Sequence, residues 1–336
     1  MTPLPNLLAQ LEELRGSKVM LLATDDQATP PRQLAEKDIL AFYDCLRQAG
    51  NADQLDLVLH TGGGEVQTAR KLLDLLRQMF KRVCVLVPYK AHSAGTLICL
   101  GADQVVMGPL AELSPIDPQI AMRGNFVGNG PKAMSAEDIR CFRAMAQEWF
   151  DAGDKGLELL SLLCEKIFPT SLTDFYRATA HVEALALTLF AQQRPDLTVD
   201  QRMQCIQHLM HGFHSHDAYL SRLDAEAAGI AVQAATSGEE TLLWQIYEVV
   251  HDMFTDTAVS PPPTNTTQPP VKLSIDALIA NTASTLTHSV QTVEYIQNGG
   301  QGGPMRITVN AQWQKLGNTL KNGTASSEVT LPTSKV

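Results

Sequence analysis

The sequence predicts an α/β fold in which helices cover a parallel β-sheet. Between Lys18 and about Gly108, short β-like runs alternate with amphipathic helical runs, and this alternation is typical of parallel sheets covered by helices. Two of the β-like runs, LDLVLH and RVCVLV, are almost wholly apolar. Strands with that composition are expected to be buried on both faces, as they are at the centre of a parallel sheet.

The predicted elements of this core follow a regular order. Strands with β-branched and aliphatic residues are separated by helical runs whose apolar residues recur at helical spacing. In chain order they are the strand KVMLLA, the helix EKDILAFYDCLRQA, the strand LDLVLH, the helix EVQTARKLLDLLRQMF, the strand RVCVLV, a short apolar helix after Ser93, and the strand DQVVMG.

Two further regions follow the core, which is assigned to residues 1–130. Residues 131–255 are predicted to be a mostly helical extension that returns to the core, with capping-box spacing at Ser135 and at Ser171. Residues 256–336 begin with a proline-rich stretch and continue rich in Thr, Ser, Asn and Gly, which predicts a linker and a mostly disordered tail. One piece of the tail, LSIDALIANTASTLTHSVQTVEYI, is predicted to form a docking helix. A chain that ends near Asp256 is therefore expected to keep its stability.

Composition excludes several classes of function. The formal net charge of −10 argues against nucleic-acid binding, which depends on clustered Lys and Arg. The first residues lack the features of a signal or transit peptide, and no apolar run approaches the ~20 residues of a membrane span. Six scattered cysteines fit reduced thiols in a cytoplasmic protein better than a disulfide framework or a zinc site.

A glycine-rich turn and a serine carry the predicted chemistry. TGGGEV lies between a predicted strand and helix, where glycines let backbone N–H groups face an anion or oxyanion. Ser93 opens the helix that follows the next strand, and the carboxyl ends of neighbouring parallel strands meet at one edge of the sheet. A nucleophile beside backbone donors meets the requirements of acyl transfer. In the simpler interpretation, the glycines form an ordinary turn and Ser93 only caps its helix.

Three stretches of the chain resemble a known family. LDLVLHTGGGEVQTARKLLDLL, VCVLVPYKAHSAGTLICLGADQVVMGPLAELSPIDPQI and SHDAYLSRLDAEAAGIAV are similar to the SDH (serine dehydrogenase proteinase) family of serine proteases. This family lies in the ClpP/crotonase-like superfamily, which includes signal peptide peptidase A. The similarity is strong from about Leu55 to Ile120, weaker from Ala121 to Ala235, and absent from the tail. It implies a ClpP/crotonase-like core and a serine peptidase without a cofactor.

The resemblance also implies roles for individual residues. Ser93, in HSAGT, matches the nucleophile. Gly64 in the glycine turn and Ala94 after the serine match the two backbone donors of an oxyanion hole, and Gly63, next to Gly64, is assigned to the same hole. The segment SPIDPQ has Asp117 where housekeeping ClpP-type peptidases carry their histidine. This chain therefore needs another general base.

Two residues are candidates for that base. Lys132 follows Ser93 at the spacing of the Ser-Lys dyads in signal-peptide-peptidase-like members, and a buried lysine with a pKa of ~7–8 can accept a proton. His216, oriented by Asp217, is the other candidate. His92 is too close to Ser93 in sequence to reach its hydroxyl and is interpreted as part of the loop wall. The spacing of His208, His211, His214 and His216 matches no zinc motif, so no metal is expected.

Three functions remain open at this point. The first is a serine peptidase that acts on a peptide or protein substrate and assembles as a homo-oligomer. The second is a crotonase-like acyl-CoA enzyme that uses the same oxyanion hole. The third is a catalytically idle adaptor with the same fold. The oligomer is expected from the resemblance and from the apolar character of the helix after Ser93.

Overall fold

One nine-stranded sheet forms the centre of the molecule. The computed structural model describes residues 3–121, 133–150, 155–213, 215, 218–256, 258–260, 271–295 and 305–316. The helices are α1 (Leu4–Arg15), α2 (Glu36–Ala49), α3 (Val66–Met79), α4 (Ala94–Leu100), α5 (Ala136–Phe150), α6 (Gly156–Lys166), α7 (Pro169–Gln193), α8 (Val199–His211), α9 (Arg222–Ala227) and α10 (Ser237–Thr255). The strands are β1 (Lys18–Thr24), β2 (Gln54–His60), β3 (Arg82–Val87), β4 (Lys90–Ala91), β5 (Gln104–Met107), β6 (Glu112–Leu113), β7 (Gln119–Ala121), β8 (Ala133–Ser135), β9 (Val232–Ala234), β10 (Ala258–Ser260), β11 (Val271–Ala280), β12 (Thr285–Tyr295) and β13 (Met305–Lys315).

The sheet has a parallel half and an antiparallel half. Its strands lie in the order β13, β12, β11, β1, β2, β3, β5, β9, and β10 pairs with β11. Strands β1, β2, β3, β5 and β9 are mutually parallel, whereas β11, β12 and β13 form an antiparallel ribbon that joins the sheet at β1. The sequence-based prediction of a parallel sheet covered by helices is confirmed for the core.

Two apolar layers cover the parallel strands. On one face, α2, α3, α4, α7 and α8 bury side chains such as Phe42, Leu72, Ile98 and Phe190. On the other face, α1 and α10 cover the sheet. The helical extension thus returns to the core through α7 and α8 on one side and through α10 on the other. None of the helices in the described ranges combines the length and apolarity needed to cross a bilayer.

Of the two helix starts predicted in the helical region, one is confirmed and the other is wrong. Ser135 begins α5 as predicted, because its Oγ accepts from the Glu137 N–H and its own N–H donates to Asp138. Ser171 does not cap a helix, since α7 begins two residues earlier with Pro169 in its first turn. Proline suits that position because the first-turn N–H groups have no partner within the helix.

The tail contains strands where the sequence analysis predicts a helix. Residues 271–280 and 285–295 form β11 and β12, so the prediction of a docking helix there is wrong, and the expectation of disorder does not hold for these strands or for β13. The run LSIDALIA alternates apolar and polar residues only over LSID and is continuously apolar over ALIA, and a short apolar run of this kind fits a strand buried on both faces. In β11, Ala277, Leu278, Ile279 and Ala280 are fully buried. The ribbon is therefore part of the packed body.

Helix α4 is buried within the single chain. All seven residues from Ala94 to Leu100 are buried, and they pack into the layer formed with α3 and α7. The apolar character of this helix is thus accounted for without a second subunit. One of the two reasons for expecting a homo-oligomer is removed, and the expectation now rests on the family resemblance alone.

Candidate active site

Ser93 sits in an unusual backbone conformation between β4 and α4. Its φ is 50° and its ψ is −108°, and among the residues that the structure describes it alone combines a positive φ with a side chain. Such backbone outliers are costly and cluster at functional sites. The Ser93 side chain makes no capping hydrogen bond to α4. The interpretation of Ser93 as an ordinary helix cap therefore does not agree with the geometry.

Neighbouring side chains hold this conformation in place. The Ser93 N–H donates to Ser114 Oγ at 2.7 Å. Thr96 Oγ1 lies 2.9 Å from the Ala91 carbonyl and 3.0 Å from the Ser114 carbonyl, and it accepts from the Ser114 N–H at 3.1 Å. Ser114, which follows β6, thus holds the backbone of Ser93. Thr96 of α4 in turn holds Ser114.

The glycine loop faces Ser93 directly. The loop is anchored beside the serine because the Thr61 N–H donates to the Lys90 carbonyl and the His92 N–H donates to the Thr61 carbonyl. Gly63 has a φ of 114°, and a Cβ built on it would lie 2.9 Å from Ser93 Cβ. Gly64, with a φ of 153°, is equally confined, since its Cβ would lie 2.3 Å from the Leu34 carbonyl oxygen. Both positions therefore require glycine.

The two candidates for the general base, Lys132 and His216, lie outside the described part of the chain, as does Asp217. The structure describes their flanks. Lys132 immediately precedes Ala133, the first residue of β8, and Ser135 at the end of β8 donates to the buried Asp117 at 2.5 Å. The segment that approaches Ser93 through Ser114 is thus tied, three residues later, to the strand that begins beside Lys132.

The flanks of His216 reach the same segment. Leu113 and Leu220 exchange two backbone hydrogen bonds, at 3.0 and 2.9 Å, and the Ile116 N–H donates to the Leu209 carbonyl. The chain therefore returns to residues 113–116 on both sides of His216. The described residues on the C-terminal side of Lys132 and on both sides of His216 are therefore bonded to residues 113–117, which begin at the end of β6.

His92 and Lys90 are the ionisable residues nearest to Ser93 in sequence. Each is paired with a carboxylate of another segment. His92 Nε2 lies 3.1 Å from Glu112 Oε1, and burial lowers the pKa of His92 although the Glu112 charge opposes this. Lys90 donates to Asp26 at 2.9 Å. Burial alone would lower the pKa of Lys90, but the bond and charge of Asp26 outweigh it and raise the pKa. A lysine held in its protonated form cannot accept the proton of a nucleophile.

A polar cluster at the same edge of the sheet was not anticipated from the sequence. Asp26 lies 3.4 Å from the buried His60 as well as beside Lys90. Burial would raise the pKa of Asp26, but its hydrogen bonds with His60 and Lys90 and their charges hold that pKa below its ordinary value. Tyr89 and Tyr247 pack against the His60 ring. These residues come from the loop after β1, from β2, from the β3–β4 turn with the start of β4, and from α10, which are distant in sequence, so no local pattern indicated the cluster.

The two histidines of the sequence cluster that the structure describes, His208 and His211, have different partners. His211 Nδ1 lies 2.9 Å from Glu137, and the His208 ring packs on Phe213. His214 and His216 lie outside the described residues. Over the ranges that the structure describes, no three His, Cys, Asp or Glu side chains are grouped as metal ligands would be.

The fold and the site define a class of protein: an α/β core that presents a serine at a helix start opposite a glycine loop. Comparison with known families agrees with this description. Residues 34–127 match the model of the ClpP-like SDH-type serine proteinases, and the resemblance inferred from the motifs is confirmed over this stretch. This match supports a protease-type function for the chain.

Two curated relatives and one solved structure are also similar. Two uncharacterized proteins of Methanocaldococcus jannaschii are 40% identical over 75 residues and 36% identical over 119 residues. These matches cover 22% and 34% of this chain, and 26% and 41% of the relatives, so the chain spans less than half of either relative. A mutant of the membrane-bound stomatin-specific protease 1510-N aligns over 72% of this chain and 87% of its own, with 15% identity and a TM-score of 0.38.

Proposed function

We propose that the protein is a serine peptidase-type hydrolase with Ser93 as its nucleophile and a peptide or protein as its substrate. The observation that carries this proposal is the backbone of Ser93, which is held at a positive φ with its side chain uncommitted to the helix and next to Gly63. A residue with a side chain occupies such a conformation only where the surrounding structure enforces it. The strain would serve to aim Oγ at the glycine loop.

Backbone N–H groups of Gly64 and Ala94 would form the oxyanion hole, with Gly63 lining it. The Leu34 N–H donates to the Gly63 carbonyl, and the Glu65 N–H donates to the Leu34 carbonyl. Alternate N–H groups of extended chain point to opposite sides, so the Gly64 N–H points away from Leu34. The Ala94 N–H is at the first position of α4, where a helix leaves its donors without an internal partner.

The reaction follows from these roles. Ser93 Oγ attacks the substrate carbonyl carbon while the base removes its proton, and the N–H groups of the loop stabilise the negative charge that develops on the carbonyl oxygen. The base returns the proton to the leaving amine, which departs and leaves an acyl-enzyme. Water, deprotonated by the same base, then attacks the ester and releases Ser93.

Labelling by a fluorophosphonate probe tests the nucleophile. The wild-type protein is expected to form one covalent adduct, and mass spectrometry of its peptides is expected to place the adduct on Ser93. Ser93→Ala is expected to take up no label. Ser171→Ala is the matched control, because it removes a serine hydroxyl in the first turn of α7 and keeps the nucleophile and its supports. Equal labelling of wild type and Ser93→Ala would disprove the assignment, and the absence of any adduct would favour the idle adaptor.

The pH dependence of labelling distinguishes the two bases, of which we propose Lys132. A lysine must lose its proton to act, so the rate should rise with pH along a limb above neutrality and should be lost in Lys132→Ala. A pair formed by His216 and Asp217 would instead give a limb near the ordinary histidine value of ~6.5. Full activity in Lys132→Ala together with loss of activity in His216→Ala would assign the base to the histidine.

A further inference from the structure

The glycine loop is held from its outer side by the backbone of Leu34. Leu34 is buried, and it forms a parallel bridge to Gly64. The Leu34 N–H donates to the Gly63 carbonyl at 2.9 Å, and the Glu65 N–H donates to the Leu34 carbonyl at the same distance. Successive glycines are conformationally permissive, so the loop itself does not specify its position. The position of Gly63 and Gly64 therefore depends both on Thr61, whose hydroxyl accepts from the Gly63 N–H at 3.1 Å, and on what holds Leu34.

Arg32 and Asp38, on either side of Leu34, hold this segment. Both side chains are almost completely buried, and they form an ion pair with each other. Asp38 also accepts from the Ala35 N–H at 2.9 Å, and the Arg32 N–H donates to the Asp25 carbonyl at 2.8 Å. A buried arginine and carboxylate need all of their partners, because an incompletely paired buried charge is costly. Displacement of either side chain would move Leu34.

The C-terminal ribbon supplies further polar contacts to this pair. Asp276 of β11 lies 3.6 Å from Arg32 Nε and 2.5 Å from Nδ1 of the buried His288 of β12. The Trp313 Nε1–H of β13 donates to Asp38 at 3.2 Å, and the indole packs edge-on against the His288 ring. The Asp25 N–H also donates to the Asp276 carbonyl. Each of the three strands thus contributes one side chain to the support of Arg32 and Asp38.

We infer that Asp276 and Trp313 are positioning residues for the Gly63–Gly64 loop. They act through Arg32 and Asp38 on Leu34, whose backbone fixes the loop opposite Ser93. The catalytic part of this inference rests on the proposed function, because the loop matters to a reaction only if its N–H groups bind an oxyanion. The structural part does not, since it concerns the hydrogen bonds between Leu34 and the loop.

Two variants and two readouts test it on the full chain. Asp276→Asn removes the charge that faces Arg32 while keeping the size of the side chain, and Trp313→Phe keeps a ring against His288 while removing the donor to Asp38. Gln312→Ala, at an exposed position of β13, is the control. We expect the Leu34 and Glu65 amides of both variants to exchange with solvent about tenfold faster than in the wild type.

Inactivation by the fluorophosphonate probe is the second readout. We expect kinact to fall by about tenfold to ~10²-fold with KI unchanged, because a displaced donor weakens transition-state stabilisation and not probe binding. Asp276→Glu keeps the negative charge and should therefore have a higher kinact than Asp276→Asn. A purely structural role would instead lower the melting temperature without a fall in kinact at constant KI. Gln312→Ala should match the wild type in both readouts.

The outcomes separate this inference from the proposed function. Unchanged amide exchange in both variants would overturn the positioning role, whatever the activity. Faster exchange with unchanged kinact would overturn its catalytic part. If the wild type takes up no label, the proposed function fails. Faster amide exchange at Leu34 and Glu65 in the variants would then still show that the ribbon holds the loop in place.

Discussion

A chain that ends at Asp256 is expected to unfold or to lose most of its stability. The truncation removes β11, and with it the buried side chains of Leu278 and Ile279, each of which contributes about 1.5–3 kcal/mol by burial. It also exposes the backbone of β1 along the register from Leu21 to Thr24 as a new sheet edge. Since domains are stable by only about 5–15 kcal/mol, the loss is comparable with the whole. Chemical denaturation followed by circular dichroism measures it.

This prediction reverses the one made from the sequence, where the tail was expected to be dispensable. A matched chain that ends at Leu316 keeps all three strands of the ribbon and is the control. A chain ending at Asp256 with the denaturation midpoint of the full protein would show that β11 to β13 contribute no stability to the body. Aggregation of the truncated chain alone would agree with an exposed edge at β1.

Gly64→Ala is expected to reduce inactivation by the fluorophosphonate probe by ~10²–10³-fold, the usual effect of losing one oxyanion donor. The new Cβ would lie 2.3 Å from the Leu34 carbonyl oxygen and 2.4 Å from the Leu34 nitrogen. These are backbone atoms that cannot move aside as a flexible side chain can. The loop must therefore separate from Leu34, and the Gly64 N–H leaves its position opposite Ser93.

Gly156→Ala provides the control for this substitution. A Cβ at Gly156, in the first turn of α6, meets no atom within 4 Å, so this variant should label at the wild-type rate. Gly64→Ala with an unchanged labelling rate and an unchanged melting temperature would show that the loop tolerates a side chain, which would remove Gly64 from the oxyanion hole.

The parallel core was predictable because its patterns are local. The helix EKDILAFYDCLRQA was expected at the residues where α2 forms, and RVCVLV was expected where β3 forms. Strands buried on both faces leave continuous apolar runs, and amphipathic helices leave apolar residues at helical spacing. The proposed nucleophile could also be identified from the sequence, since Ser93 and the three glycines each follow a predicted strand.

The ribbon was not predicted correctly, for a physical reason. Its strands are short of aromatic residues and are flanked by proline-rich and glycine-rich sequence, so composition indicated disorder. What stabilises β11 is the free edge of β1, which the start of the chain provides about 250 residues earlier. A pairing between such distant segments leaves no periodic signal in either of them.

The sequence by itself determined the order of the core elements and the residues that could carry acyl transfer, because strand and helix periods and the glycine-rich turn are encoded over a few residues. Only the tertiary structure decided three other features: the positive φ of Ser93, the confinement of Gly64 by Leu34, and the support of Leu34 by Asp276 and Trp313 through Arg32 and Asp38. Each depends on contacts between segments that are separated in the chain, and these contacts stabilise the fold only when packing excludes water and brings the segments together.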